Sequence, residues 1–182
     1  MEKFGKVIVK LRIPILILSF LLLIPSAIGY FNTRVNYDIL YYLPNEIETM
    51  QGQDILMDDF NKGAYAMVVV QNMDTKSTDR LIKKVESVDH VAQVISYTGI
   101  VGEDVPSEIV PSKFRKYFEN DSTDTTLFAI FFDNTTSSDD TMNAITQIRE
   151  KTEGQAFISG MSAVVTDTKN LSEKETPLYV LI

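Results

Sequence analysis

An apolar run from Ile13 to Phe31 constrains this chain more than any other feature of it. Lys3, Lys6, Lys10 and Arg12 precede the run, and no charge interrupts it after Arg12. About twenty apolar residues at a 1.5 Å rise cross the hydrocarbon of a bilayer. Extended backward by Val7-Ile8-Val9, the run meets that length. Pro14 and Pro25 fall near its ends, where a missing backbone donor costs least. A second apolar run is expected to begin at Pro177-Leu-Tyr-Val-Leu-Ile182. The order reads as one membrane span, one outside domain and the first residues of a second span, the opening piece of a larger membrane protein.

Charge sets the expected orientation. The N-terminal flank carries four basic residues and Glu2, a balance of +3, and the remainder carries 13 basic and 24 acidic residues, a balance of −11; together they make the net −8. Basic residues before a first span hold that side in the cytoplasm, so the N-terminus is expected inside the cell membrane and residues 32–174 outside. An acidic outer domain lacks the surplus of Lys and Arg that phosphates require, which argues against nucleic acid as a partner. The rival for the first segment is a cleaved signal peptide, with Ala27-Ile28-Gly29 as the small-x-small site. The length of the run and the second apolar stretch favour a retained span.

The chain has no cysteine, so disulfides and thiolate chemistry are excluded. At about 140 residues the outer domain is long enough to build a core without staples, and residues 32–174 are expected to fold alone. Three glycosylation sequons, at Asn120, Asn134 and Asn170, occur in it and carry weight only in a glycosylating host.

Patterning orders the outer domain. Val35–Pro44 reads as a short extended stretch. Residues 46–61, with Ile47, Met50, Ile55, Met57 and Phe60 among acids and Gly63 after them, read as a helix. Ala64–Gln71 is a β-branched strand. Ser77 is expected to cap a helix with Leu81, Ile82, Val85 and Val88 on one face, followed by a weaker strand Val91–Tyr97. A loop runs from Ile100 to Asp124, inside which Pro111 opens a short helix carrying Phe114, Tyr117 and Phe118. Thr125–Phe132, apolar on both faces, is the clearest strand. Ser138 or Asp139 caps the next helix, which Gly154 ends, and Gln155–Ser159 is the last strand.

The fold class expected is therefore α+β: one N-terminal transmembrane helix, then a β-α-β-β-α-β domain. That is the ferredoxin-like (split βαβ) order, a four-stranded antiparallel sheet with two helices on one face. The expected divisions are a basic flank (1–12), a transmembrane helix (13–31), a connecting segment with the first outer helix (32–63), the ferredoxin-like subdomain (64–160), a descending helix (161–176) and the start of a second transmembrane helix (177–182).

This layout, together with Val35-Asn36-Tyr37-Asp38-Ile39-Leu40-Tyr41-Tyr42-Leu43-Pro44, resembles the opening of each half of the resistance-nodulation-division transporters, in particular their MmpL-like branch. There an Asp-containing extended segment ends in Leu-Pro before the first outer helix. Phe60-x-x-Gly63 before the Val-rich strand, and Gly160-Met161-Ser162 after the last strand, are similar to that family's entry to and exit from its porter domain. The resemblance covers nearly the whole chain and rests on layout and loose motifs. It implies a proton-driven exporter of lipids, drugs or other amphiphiles, whose proton relay lies in a fourth span that these residues lack. Its implied partners are the lipid bilayer, the remainder of the transporter or other subunits, and amphiphilic small molecules or lipids. The piece is expected to transport nothing alone.

Catalytic motifs are absent: no glycine-rich phosphate loop, no Gly-x-Ser-x-Gly, no His-Glu-x-x-His. No enzyme activity, cofactor or metal is expected. His90, the single histidine, reads as a surface or capping residue without a partner nucleophile. Asp58-Asp59 and Asp139-Asp140 are neighbours that share no helix face, and the second pair suits a helix N-terminus. Asp121, Asp124 and Asn120 lack calcium-loop spacing. Met50, Met57, Met67 and Met73 read as core filler or as the soft wall of a promiscuous pocket. The candidate amphiphile contacts are Tyr37, Tyr41 and Tyr42, for which the aromatic belt of a membrane interface is the favoured reading, and Phe114, Tyr117 and Phe118, for which packing against the sheet is an equal rival. The second class of reading is a membrane-tethered or secreted extracellular module that binds a ligand or protein. A ferredoxin-like hydrolase is discounted, since Asn72–Lys76 supplies only Asn72 and Lys76.

Overall fold

The computed structural model describes residues 2–33, 35–37, 40–102, 105 and 109–181. Asp38, Ile39 and Ile182, which the sequence reading used, lie outside them. The chain divides into two compact units, Met1–Asn36 and Tyr37–Ile182. It is a mixed α+β structure with an antiparallel sheet and one N-terminal helix apolar and long enough to cross a membrane.

The first unit contains two helices, α1 (Glu2–Lys10) and α2 (Arg12–Asn32). Leu11 separates them, with φ −95° and ψ 11°. Pro14 explains the break: without an N–H it cannot bond the Lys10 carbonyl, and its ring crowds that group. Helical bonds persist on either side, from Leu11 N to Val7 O at 2.9 Å and from Ile15 N to Leu11 O at 2.9 Å. Residues 1–12, expected only as a basic flank, thus hold a helix of their own. Within α2, the candidate span is Arg12–Tyr30, and the protein buries none of it. Pro25 is inside this helix, and Ser19 and Thr33 return their hydroxyls to the carbonyls of Ile15 and Gly29, four residues back.

The second unit opens with a 3-10 turn, Leu40–Tyr42, and helix α3 (Glu48–Asp58). α3 is shorter than the 46–61 expected, and Ile55 and Phe60 are exposed while Met50 and Met57 are half-buried. It is followed by β1 (Ala64–Gln71), α4 (Thr75–Glu86), β2 (Val91–Ile95), α5 (Tyr97–Val101), α6 (Ser112–Arg115), β3 (Glu119–Asn120), β4 (Thr125–Phe132), α7 (Asp139–Thr152), β5 (Ala156–Ser159) and α8 (Met161–Leu181). α8 runs through residues 176 and 177 as one helix with Pro177 inside it.

The sheet order is β2-β4-β1-β5, every pairing antiparallel, with β3 added to β4. This makes five strands where four were expected. β3 is two residues, Glu119 and Asn120, paired with Thr126 and Thr125. It leads into the start of β4 as a short hairpin, through a turn in which the Asn120 side chain accepts from Ser122 N, and two polar residues leave no apolar period to read.

Alternation builds the core. Ala64, Ala66, Val68 and Val70 of β1 and Phe128, Ile130 and Phe132 of β4 are buried, in register as Ala64↔Phe132, Ala66↔Ile130 and Val68↔Phe128. Against them pack Leu81, Ile82 and Val85 of α4, Val88 just beyond it, and Ala144, Ile145 and Ile148 of α7. α8 lies along α7 and β1 with Ala163, Val165 and Thr166 buried. Two ion pairs fasten it, Arg149–Asp167 at 2.6 Å and Lys169–Asp139 at 3.5 Å. Beyond the end of β5, the Ser162 hydroxyl donates to the Tyr65 carbonyl at 2.8 Å, so α8 takes over a sheet-edge acceptor. At Gly160, φ +104°, an added Cβ would lie 3.3 Å from Ala66 Cα, so a glycine suits both the backbone conformation and the close approach to β1.

Helix caps follow local chemistry with one correction. α7 is capped by Ser138, which accepts from Asp140 N, and ends on Glu153 and Gly154 in left-handed conformations. For α4 the cap is Asp74, not Ser77: Asp74 accepts from Ser77 N at 3.2 Å and from the Ser77 hydroxyl at 2.6 Å. A carboxylate three residues before Ser77 is the stronger acceptor for the orphan donors of the first turn. Those two bonds hold the Asp74 carboxyl below the usual range. β2 ends at Ile95 rather than Tyr97, because Ser96 caps α5, accepting from Gly99 N at 3.1 Å.

Candidate functional site

The six aromatic candidates fall into two groups. In the segment after the first unit, Tyr37 is half-buried, and Tyr41 and Tyr42 are 73 % and 72 % exposed on the 3-10 turn. Their rings meet edge to face, 5.7 Å apart. In the long loop, Phe114 and Phe118 are half-buried with rings 5.5 Å apart, while Tyr117 is 75 % exposed. α6 and the turn that follows it, with Tyr117 N bonded to Phe114 O and Phe118 N to Arg115 O, bring Phe114 and Phe118 together and leave Tyr117 facing solvent. Among the described residues no ring contact joins the two groups.

What gathers Phe114 and Phe118 is Tyr97, which sequence reasoning placed at the end of a strand. Its ring lies 6.4 Å from each, and it is 6 % exposed. The signal for it was Ser96-x-x-Gly99, a cap pattern that turns the chain before Tyr97. Glu119 follows this cluster; partial burial raises its carboxyl above the usual range, Arg115 at 3.9 Å opposes that and Asp121 adds to it. Arg115 also pairs with Asp121 at 2.9 Å.

The sheet offers a further apolar surface on the face away from the core. The register sets Phe157, Val69 and Leu127 in one row, Met67 beside Ala129 in the next, and Tyr65 beside Phe131 in the third. Lys62 places its ammonium 5.5 Å from the Phe131 ring centre. Val69, Leu127 and Phe131 are half-buried, whereas Tyr65, Met67 and Phe157 stay exposed. Of the four methionines weighed as soft lining, Met67 lies on this surface and Met73 packs at the edge of the core. The apolar groove along α2, lined by Ile13, Leu16, Ile17, Phe20, Leu21 and Ile24, is the surface between the ridges of a solitary helix.

A polar cluster that spacing could not reveal surrounds His90. Its Nδ1 lies 3.1 Å from Asp133 Oδ1 and its Nε2 3.8 Å from Asp140 Oδ1. Asn134 donates to Asp133 Oδ1 at 2.9 Å. These residues flank the start of β2 and the end of β4 and sit in the first turn of α7, so the cluster ties three elements, with His90 and Asp133 43 positions apart in sequence. His90 is exposed and left-handed, φ 69°. Its geometry serves as a clasp at the sheet end. Asp139 and Asp140 part company, one toward Lys169 and the other toward His90. Among the described residues no three of His, Asp and Glu converge as a metal group would.

No protein family's profile matches this chain, and no curated protein matches it.

Proposed function

We propose that this chain is the N-terminal span and extracytoplasmic porter domain of an MmpL-like, resistance-nodulation-division exporter of amphiphiles. The observation that supports it best is the sequence of parts: a bilayer-length apolar helix, then β1-α4-β2-β4-α7-β5 in the sheet order β2-β4-β1-β5, then the long helix α8. We read that order as the ferredoxin-like split βαβ arrangement, with β3 as a short added strand beside the start of β4. In this reading α2 is retained in the cell membrane, residues 1–12 are cytoplasmic and the sheet domain is outside, since four basic residues precede the span. Tyr41 and Tyr42 then sit near the outer interface, and the bilayer, the rest of the transporter and amphiphiles are the partners. The piece performs no reaction of its own and carries no proton relay.

The test is transport in proteoliposomes under an imposed proton gradient with a fluorescent amphiphile. These 182 residues alone are expected to move none of it. The complete gene product is expected to do so, and its coding sequence beyond Ile182 is expected to hold further apolar runs. Gradient-driven movement by the piece alone, or a complete product without further spans, overturns the reading.

A second reading is a membrane-tethered binding module. The open sheet face at Tyr65, Met67 and Phe157 favours it, because an exposed apolar surface of this kind is a contact site. A single-span complete product that captures one extracellular ligand or protein would select this reading.

A further inference from the structure

We propose that α1 is an interfacial helix that lies against anionic lipid headgroups beside the N-terminal end of α2, an inference that rests on α2 spanning the bilayer. A simple flank before a span is extended or continues its helix. Here α1 is a separate helix of nine residues, closed by the non-helical backbone of Leu11. Pro14 withholds the donor that would fuse α1 and α2 through the Lys10 carbonyl, so the joint is built into the sequence.

The helix is two-sided. At 100° per residue, positions 4, 7, 8 and 11 fall within one arc, and they are Phe, Val, Ile and Leu. Positions 3, 6 and 10 fall on a second arc, and all are Lys. Val7, Ile8 and Leu11 of this arc are exposed. A nine-residue apolar-and-basic helix is far too short to span, and is below the length at which a peptide helix persists in water. Burying the apolar arc at the headgroup boundary while lysines meet phosphate and carboxylate headgroups supplies both missing stabilisations. The charge is complementary: four basic residues stand against Glu2 in the first twelve. The attachment to α2 keeps α1 at the membrane surface.

The protein has no tryptophan, so one introduced tryptophan is a sole indole reporter. Full chains carrying Val7→Trp or Phe20→Trp are reconstituted into vesicles of phosphatidylcholine alone or mixed with phosphatidylglycerol, containing lipids brominated near the headgroup or near the chain end. Phe20→Trp is expected to be quenched by the deep bromines in both vesicles; absence of that quenching removes the span reading and this inference with it. Val7→Trp is expected to shift to shorter wavelength and to be quenched by the shallow bromines in the anionic vesicles. Substituting Lys3, Lys6 and Lys10 by Gln is expected to abolish that shift while leaving the Phe20→Trp signal unchanged. With the span intact, three results overturn the proposal: Val7→Trp exposed to water in both vesicles, deep quenching regardless of charge, or shallow quenching that survives the triple substitution.

Discussion

The two faces of the sheet are made from the same strands and nearly the same kinds of side chain, yet they have opposite fates. Phe128 on β4 is fully buried opposite Val68, while Phe157 on β5 is 65 % exposed opposite Val69. One residue of offset decides between them, since successive side chains in a strand point to opposite faces. The buried face meets α4 and α7, whose own apolar stripes need covering. The other face carries Tyr65, Met67, Val69, Leu127, Phe131 and Phe157 with only partial cover. Hydrophobicity therefore does not by itself place a residue in a core; a second apolar element must arrive.

That contrast can be broken experimentally, and residues 32–174 are the object on which to do it. They are expected to unfold cooperatively in urea; a broad, non-cooperative transition would mean that the core face does not suffice alone. Phe128→Ala is expected to cost about 3–5 kcal/mol, and Phe157→Ala less than about 1 kcal/mol, because the first leaves a cavity and the second sheds a largely hydrated ring. Equal losses would show that the outer face is covered. Gly63→Ala is expected to cost about 1–3 kcal/mol. An added Cβ would meet the Asn134 backbone at 2.5 Å, and the Gly63 N–H is held by the Phe132 carbonyl. Ser138→Ala, which strips the cap of α7, is expected to cost about 1 kcal/mol in the same measurement.

The smallest expected effect is that of pH, and it has two opposite arms. Asp74 has a lowered folded pKa, so its stabilisation is complete above the ordinary Asp value near 3.9 and is lost as pH falls through the folded value. Glu119 has a raised folded pKa, so the folded state binds its proton more readily and stability declines as pH rises from the ordinary Glu value near 4.3 through the folded one. Stability followed by urea midpoint is expected to lose the acid-side arm in Asp74→Ala and the upper arm in Glu119→Gln. Profiles unchanged by both substitutions would sever these groups from folding.

Much of the architecture was legible because local rules held. β1 and β4 have the bounds that their apolar runs indicate, and α7 begins after Ser138 and ends before Gly154 as its cap and stop residues require. The errors have the same local origin: Asp74 outcompeted Ser77 as a cap, and Ser96 ended β2 early to start α5. The candidate site was legible only in part. Its aromatics could be named from sequence, but the separation of Tyr117 from Phe114 and Phe118, and the part of Tyr97 in gathering the latter two, depend on how the loop folds back.

The sequence by itself determined the apolar helix, the positions of the main strands and helices, and the net negative charge. These properties are sums or short periods along the chain, with a range of a few residues. Tertiary structure alone decided which face of the sheet is covered, how His90 meets Asp133 and Asp140, and how Ser162 reaches the Tyr65 carbonyl 97 positions away. Each of those depends on closing a long loop between elements, and no local pattern records where such a loop will close.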